Sequence, residues 1–264
     1  MRTYKDVISL SNNERGIWDL DTIKGCESGL LNNEKGCYND CYAFKTAKRY
    51  GIDFSKSIER NFIDEKYRLE IIRQIEKIDM PFIRIGCAGD PSENWEHTIK
   101  IISELKRNNQ FSLFDISSKK QIVIITRHWK ELTYWQLIEL SKYNVVFNTS
   151  ISALDSSELI EKSLNQYNRI KPFVKSILRI VSCDFNEDNE EGKRMAEIQR
   201  KLFKNENIID TVFRPSKNNY FVKNEIIKTR KSAFMKSTQL LSKYNKKAFT
   251  GKCKNCLEMC GVNV

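Results

Sequence analysis

The chain has 264 residues, 40% of them hydrophobic, which suits one large α/β domain or two smaller domains with a substantial core. It has no run of 18 apolar residues and begins with a stretch too polar for a signal peptide. We therefore expect a cytoplasmic protein with no membrane partner, in a reducing compartment that disfavours a disulfide framework.

Short apolar strands alternate with longer amphipathic helices along the chain. The predicted strands are 17–23, 82–86, 122–126, 145–150, 177–181 and 209–213. The predicted helices are 42–50, 64–77, 94–107, 130–142, 156–165 and 190–203. Ser156 or Ser157 is expected to cap the fifth helix. This alternation is typical of parallel βαβ units, which wind into a barrel or an open doubly wound sheet.

Six βα units are too few for a complete eight-stranded barrel. We therefore predict an α/β fold in which residues 1–215 form a partial (βα)6 TIM-like barrel and residues 216–264 form a basic, Cys-containing C-terminal extension. Parallel α/β folds bind ligands at the carboxyl ends of their strands. Polar clusters such as "GCAGDPSEN", "RHWK" and "NTSIS" follow or close the predicted strands. The sequence thus predicts a functional site at this edge of the sheet.

Six of the eight cysteines fall into two triplets in polar surroundings. Cys183 fits a small buried hydrophobe, whereas the triplets are better explained as metal ligands. Zinc usually takes four ligands, and neither His97 nor His128 lies at zinc-finger spacing from the first triplet. Three thiols suit a four-iron cluster whose last iron binds a substrate or cofactor. The two triplets are Cys26, Cys37 and Cys41, and Cys253, Cys256 and Cys260.

The stretch "GCYNDCYAFKTAKRYG" resembles a phage-type and uncharacterised branch of the radical S-adenosylmethionine superfamily, with Gly-Cys, a few residues, then Cys-Tyr-Ala and a basic helix. The resemblance implies that Cys26, Cys37 and Cys41 bind a [4Fe–4S] cluster and that S-adenosylmethionine chelates its open iron. One electron, from a donor such as flavodoxin or ferredoxin, would then cleave the sulfonium to a 5′-deoxyadenosyl radical.

The cysteine spacing is wider than is common in that superfamily, with ten and then three intervening residues. Asp40 stands where the superfamily usually has an aromatic residue beside the adenine. By the resemblance, Tyr42, or alternatively Tyr38, takes the adenine contact.

The resemblance also implies contacts with S-adenosylmethionine further along the chain. In "IRIGCAGDP", Gly86 and Gly89 permit close backbone approach to the methionine amino group, and Asp90 is placed to meet an ammonium. Arg179 is expected either to pair with the carboxylate or to form a structural ion pair. The residues matching the ribose and carboxylate contacts are Asn148, Ser150 and Ser152.

Cys87 has two interpretations. It is either a small residue in a crowded turn or a catalytic thiol that faces the radical and donates a hydrogen atom. The second role follows the resemblance, at superfamily level, to spore photoproduct lyase.

The C-terminal triplet lies in the most basic part of the chain, since residues 214–264 hold twelve Lys or Arg and two Glu. We favour an auxiliary iron–sulfur cluster here over a zinc knuckle. The charge and interleaved aromatics predict a nucleic acid or another anionic substrate as partner. The alternative is that Lys is simply the default surface residue of this chain.

Two functions from different classes fit these features. The favoured one is a radical S-adenosylmethionine enzyme that acts on an anionic substrate. The alternative is a non-enzymatic, Cys-rich, zinc-containing protein that binds nucleic acid.

Overall fold

A mostly parallel sheet with helices on its connections forms the centre of the fold. The structure is a computed structural model that describes residues 6–12, 15–107, 117–228 and 253–264. The strands are β1 (Ser11–Asn12), β2 (Trp18–Asp19), β3 (Ile23–Lys24), β4 (Ile58–Glu59), β5 (Phe82–Ile85), β6 (Gln121–Thr126), β7 (Val145–Ile151), β8 (Lys175–Ser182) and β9 (Ile208–Val212). The helices are α1 (Glu27–Asn32), α2 (Tyr42–Arg49), α3 (Glu65–Glu76), α4 (Trp95–Lys106), α5 (Tyr134–Ser141), α6 (Ser157–Ile170), α7 (Glu190–Leu202) and α8 (Tyr220–Lys223).

The strands of the main sheet stand in chain order. Within the described ranges this sheet has seven strands, β1-β2-β5-β6-β7-β8-β9, and β3 and β4 form a separate antiparallel pair. Within this sheet only β1 runs antiparallel to its neighbour, and the pairings among β2, β5, β6, β7, β8 and β9 are parallel. The predicted α/β class with parallel βαβ units is confirmed.

Side-chain caps explain where the long helices begin. Asp64 accepts a hydrogen bond from the Tyr67 N–H at 2.7 Å at the start of α3. Ser156 does the same for α6, which confirms one of the two predicted caps. Helix α5 begins four residues later than predicted, at Tyr134, because Thr133 and Gln136 form a capping box there.

The predicted first strand, 17–23, is divided in the structure. Its first part is β2 in the main sheet, and its end is β3, which pairs with β4. Asp21 lies between the two parts, and its carboxylate accepts hydrogen bonds from the N–H groups of Gly86, Cys87 and Ala88. The Asp21 carboxylate thus binds the backbone N–H groups after β5 that a longer β2 would otherwise pair with, so β2 ends before Asp21.

The two faces of the sheet differ in chemistry. Successive side chains of a strand point to opposite faces, and registered neighbours point to the same face. Arg84 pairs with Val123, which pairs with Val146, two residues before Asn148. Asn148 in turn pairs with Ile177, two residues before Arg179. Arg84, Asn148 and Arg179 therefore share one face. The opposite face is buried and mainly apolar, with Thr126, Thr149 and Ser176 as polar members. Its apolar residues are Ile83, Ile85, Ile122, Ile124, Phe147, Leu178 and Ile180.

The C-terminal residues 253–264 cover the polar face. Asn148 Nδ2 donates to the Cys260 carbonyl at 3.0 Å, and Lys175 Nζ donates to the Val262 carbonyl at 2.9 Å. Gly261 packs so closely on the Ile177 side chain that a Cβ there would lie 2.5 Å from Ile177 Cγ1. This part of the predicted extension therefore packs directly on the sheet, whereas residues 229–252 of the extension lie outside the described residues.

No helix in the described ranges has the length and hydrophobicity required to span a bilayer.

His128 is a buried histidine of the core. Its Nε2 lies 3.0 Å from Thr149 Oγ1, and its ring stacks on Phe147. Burial, followed by the charge of Lys162, lowers the pKa of His128 from 6.5 to about 3. The side chain is thus neutral in the folded protein at neutral pH, and the unfolded chain binds its proton more readily.

This shift predicts a pH dependence of stability. Because the folded pKa is depressed, the stabilisation is present above pH 6.5 and is lost as the pH falls towards 3. We expect the free energy of unfolding to fall by about 2 kcal/mol between pH 6.5 and pH 5 through this group. Urea denaturation at several pH values measures this decrease. The variant His128→Gln should show a shallower decrease, and an identical pH profile in both proteins would contradict the assignment.

Candidate functional site

The first cysteine triplet lies where β3 leads into the first two helices. Cys26 precedes α1, Cys37 begins a short 3-10 turn, and Cys41 precedes α2. Burial is the main cause that raises the pKa of each thiol, that of Cys37 to about 12. Cys37 further raises the pKa of Cys26, and Cys41 raises that of Cys37, so charges on the three sulfurs act on one another. The fold thus places Cys37 within electrostatic range of both Cys26 and Cys41.

Glycines and strained residues hold the triplet loops in place. A Cβ at Gly29 would lie 2.6 Å from Cys26 Sγ, and one at Gly36 would lie 2.5 Å from Cys41 Cβ. Tyr38 and Asn39, between the second and third cysteines, both have a φ of 57°, in the left-handed region. Such conformations cost roughly 1–3 kcal/mol each and concentrate at ligand-binding sites.

An arginine that the sequence analysis did not single out lies beside the triplet. Arg127 forms a bidentate pair with Asp155, with distances of 2.5 and 3.1 Å, and also hydrogen-bonds the Tyr38 hydroxyl. Its guanidinium carbon lies 4.9 Å from the centre of the Tyr38 ring. The charge of Arg127 opposes the effect of burial on the pKa of Cys37, so this residue favours the thiolate form.

The surroundings of the thiols are largely apolar. Cys26 belongs to a buried cluster with Ala47 and Phe54, against which Phe44 and Trp129 pack. Such a shell keeps water away from a bound cofactor. Tyr42, predicted to contact adenine, lies beside Cys41 with 77% of its surface exposed. Tyr38, the alternative, is held against Arg127 and Phe213.

The glycines after β5 make close contacts with the protein's own backbone. Gly86 has a φ of +99°, and a Cβ there would lie 2.0 Å from the Ile125 carbonyl oxygen. Gly89 lies against the carbonyls of Ile23 and Gly25, and the Gly25 N–H donates to the Ala88 carbonyl at 3.0 Å. This turn therefore positions the segment that leads directly into Cys26.

Asp90, in the same turn, holds two loops together. Its Oδ1 accepts hydrogen bonds from the Ser92 N–H and hydroxyl and from Thr126 Oγ1, and its Oδ2 accepts one from the Arg127 N–H. The predicted contact with an ammonium group would therefore use the second lone pair of Oδ2.

Cys87 belongs to a buried polar network. Its thiol donates to Asp19 Oδ1 at 3.0 Å, and Arg84 Nη2 lies 2.9 Å from the sulfur. Arg84 Nε also donates to Asp19 Oδ1, at 2.8 Å. Burial raises the pKa of the Cys87 thiol well above its usual value, and Arg84 opposes this rise. The sulfur thus carries its hydrogen, as a hydrogen-atom donor requires.

The predicted polar residues of β7 and its end have separate contacts. Asn148 donates to the Cys260 carbonyl, while its Oδ1 is buried without a hydrogen bond to any described residue. Ser150 lies beside Arg179 in the sheet, and its carbonyl accepts from Arg127 Nη1 at 3.3 Å. Ser152 holds the loop after β7, because its hydroxyl donates to the Val181 carbonyl.

The second triplet lies on the polar face of the sheet. Cys253, Cys256 and Cys260 line one cavity of about 50 Å³ together with Arg84 and Arg179. The backbone of this segment is also strained, since Met259 and Cys260 have φ values of 45° and 55°. The fold therefore places all three cysteines of the second triplet around one cavity, together with Arg179.

The three thiols of the first site fit an iron–sulfur cluster in donor chemistry and surroundings. Thiolates are the protein ligands of such clusters; here Cys26 is buried, Cys37 and Cys41 are half-buried, and Cys37 lies within the influence of the Arg127 charge. Across the described ranges, no group of three or more His, Cys, Asp or Glu is arranged to hold a metal ion. Each thiolate of a cluster binds a different iron, so its sulfurs lie further apart than the ligands of one ion.

No protein-family model matches the chain, and neither a curated protein nor a solved structure matches it.

Proposed function

We propose that this protein is a radical S-adenosylmethionine enzyme in which Cys26, Cys37 and Cys41 hold a [4Fe–4S] cluster. The observation that carries the proposal is the placement of these thiols, from one short stretch of sequence: Cys26 and Cys41 share one apolar cluster, and the charges of Cys41 and Arg127 both act on Cys37. When bound, the cluster supplies the electron that cleaves S-adenosylmethionine. The superfamily resemblance of "GCYNDCYAFKTAKRYG" supports this chemistry.

The topology supports a partial barrel as the scaffold. The six parallel strands β2 and β5 to β9 stand in chain order, whereas a doubly wound sheet reverses its order at a switch point. Right-handed crossovers that all advance in one direction place the helices on one face and leave the other face inside. The polar face with Arg84, Asn148 and Arg179 is then the interior.

The chain's own residues would prepare the site for this reaction. Arg127 stabilises negative charge at Cys37, and Asp155 holds Arg127 in place. Phe44, Phe54 and Trp129 exclude water from the thiols. Cys87 keeps its hydrogen bonded to Asp19 and is the hydrogen-atom donor in this proposal.

Anaerobic reconstitution with iron and sulfide tests the proposal. We expect a brown protein with broad absorption near ~400 nm, because iron–sulfur clusters are coloured whereas Zn²⁺ is d¹⁰ and colourless. Incubation with S-adenosylmethionine and a strong reductant should then release 5′-deoxyadenosine, detected by mass spectrometry. A colourless protein that retains zinc and binds nucleic acid would support the alternative function and overturn this one.

The second triplet is expected to hold a separate metal centre, favoured as an auxiliary iron–sulfur cluster. Replacing Cys256 by alanine should lower the iron content per chain, because one of three thiols lining the cavity is lost. Iron and sulfide analysis of the reconstituted protein measures this loss. Cys183→Ala, in a different buried cluster, is the matched control. Equal iron content in both variants would mean that the second triplet binds no iron.

A further inference from the structure

The cavity at the second triplet has more cationic than anionic lining. Its volume of about 50 Å³ exceeds that needed for one water, roughly 10–15 Å³ in the same measure. Arg15, Arg84 and Arg179 all line it. Asp210 also borders the cavity, but its carboxylate accepts a hydrogen bond from Ser182 Oγ at 2.5 Å. Burial, and after it the same carboxylate, raises the pKa of Cys183, a residue that packs against α7, so the Asp210 charge lies towards the helices. Glu258 is the second carboxylate of the lining.

The three arginines differ in their partners. Arg84 is neutralised by Asp19, with an Nε–Oδ1 distance of 2.8 Å. Arg15 makes contacts of its own and binds the Cys253 N–H through its carbonyl. The side chain of Arg179 has neither a hydrogen bond nor an ion pair with any residue that the structure describes. This also removes, for the described residues, the structural ion pair that the sequence left open.

The environment of Arg179 makes its lack of a partner costly. The groups that act most strongly on its charge are Cys260, Arg84, Cys87 and Arg15, and none is a carboxylate. Burial lowers its pKa, yet an arginine remains charged in proteins. A half-buried charge beside two further cations is stabilised when an anion enters the cavity.

We propose that the arginines of this cavity bind the oxyanion group of the substrate, a carboxylate or a phosphate, next to the metal centre that its thiols would hold, and that Arg179 is the principal contact. A guanidinium offers two parallel N–H donors, which match both groups in geometry. Only the identification of this anion as part of the substrate rests on the proposed function.

The position of the cavity fits a substrate site. Arg179 stands level with Ser150 in the neighbouring strand, and the Ser150 carbonyl binds Arg127, the arginine beside the first triplet. Arg84 joins the cavity to Cys87, whose sulfur lies 2.9 Å from Arg84 Nη2. An anion held at Arg179 would thus lie at the second triplet, with Arg84 linking the cavity to the proposed hydrogen-atom donor Cys87.

Binding of inorganic phosphate to the full chain tests the proposal. We expect phosphate to raise the melting temperature saturably, by about 5 °C at high saturation, relative to chloride at equal ionic strength. Arg179→Gln should abolish this rise, and Arg179→Lys should weaken phosphate binding about tenfold because one donor pair is lost. Arg169→Gln, on an exposed arginine paired with Glu131, should respond like the wild type. An Arg179→Gln protein that responds like the wild type would overturn the proposal, as would a wild type that does not respond.

Two further arms identify the source of the oxyanion. A parallel titration with malonate distinguishes carboxylate from phosphate preference by the ratio of the two affinities. The phosphate titration is then repeated with saturating S-adenosylmethionine, which should leave the phosphate affinity unchanged. If S-adenosylmethionine displaces phosphate, the cavity takes the carboxylate of the cofactor, and its assignment to the substrate is wrong.

The phosphate result is independent of the radical chemistry. If phosphate binding depends on Arg179 but no 5′-deoxyadenosine forms, the proposed function fails while the anion cavity remains. If 5′-deoxyadenosine forms but phosphate does not bind, the cavity assignment fails alone.

Discussion

Replacing Cys26, Cys37 or Cys41 by alanine is expected to lower 5′-deoxyadenosine formation by at least about 100-fold. Losing a residue that only supports a metal ligand costs up to about 100-fold, and losing a ligand itself should cost at least as much. Each substitution would remove one of the three proposed ligands, and the remaining two thiols would not fix a four-iron cluster. The broad absorption near ~400 nm should disappear or bleach rapidly in air in all three variants.

The matched control is Cys183→Ala. Cys183 is a buried thiol, like Cys26, but it packs with Phe185 and Met195 on the helix side of β8. It should retain both colour and activity, which separates loss of a ligand from loss of a buried sulfur. Circular dichroism establishes that each variant is folded. Full activity in all three triplet variants would show that these thiols are not the ligands.

Much of the scaffold could be predicted because local signals agree with the fold. Three strands lie close to their predicted bounds, because short apolar runs rich in branched residues are typical of buried strands. They are Phe82–Ile85, Val145–Ile151 and Ile208–Val212. Helix α3 begins beside its capping Asp64. The division of the first strand could not be predicted, because it depends on Asp21 meeting a turn 65 residues away.

The candidate site could be predicted only in part, because some of its residues come together only in the folded chain. The first triplet is contained in one short stretch, so its assembly requires little long-range information. Arg127 joins it only through the fold, by contact with Tyr38 and Asp155. The meeting of Arg179 with the second triplet depends on residues far apart in the chain that share the polar face. An arginine in the otherwise apolar strand "FIRI" was the available signal for that face.

Gly86→Ala is expected to lower the free energy of unfolding by about 3–5 kcal/mol, among the largest effects of a single substitution. The new Cβ would lie 2.0 Å from the Ile125 carbonyl oxygen, and the φ of +99° is unfavourable for any L side chain. Neither β5 nor β6 can move apart to relieve this clash without losing the parallel hydrogen bonds between them. Urea denaturation measures the loss as a lower midpoint at unchanged slope.

Gly51→Ala separates the two causes of that loss. Gly51 also has a positive φ, of +63°, but nothing lies within 4 Å of a Cβ placed there. Its substitution should therefore cost only the conformational penalty, about 1–2 kcal/mol. The difference between the two losses then measures the clash with the Ile125 carbonyl. The close contact of Gly86 with Ile125 fixes the turn after β5, and the Ala88 carbonyl of this turn accepts a hydrogen bond from the Gly25 N–H, just before Cys26. Equal losses in the two variants would show that the turn relaxes freely, and the close packing of Gly86 could then not be what positions the first triplet.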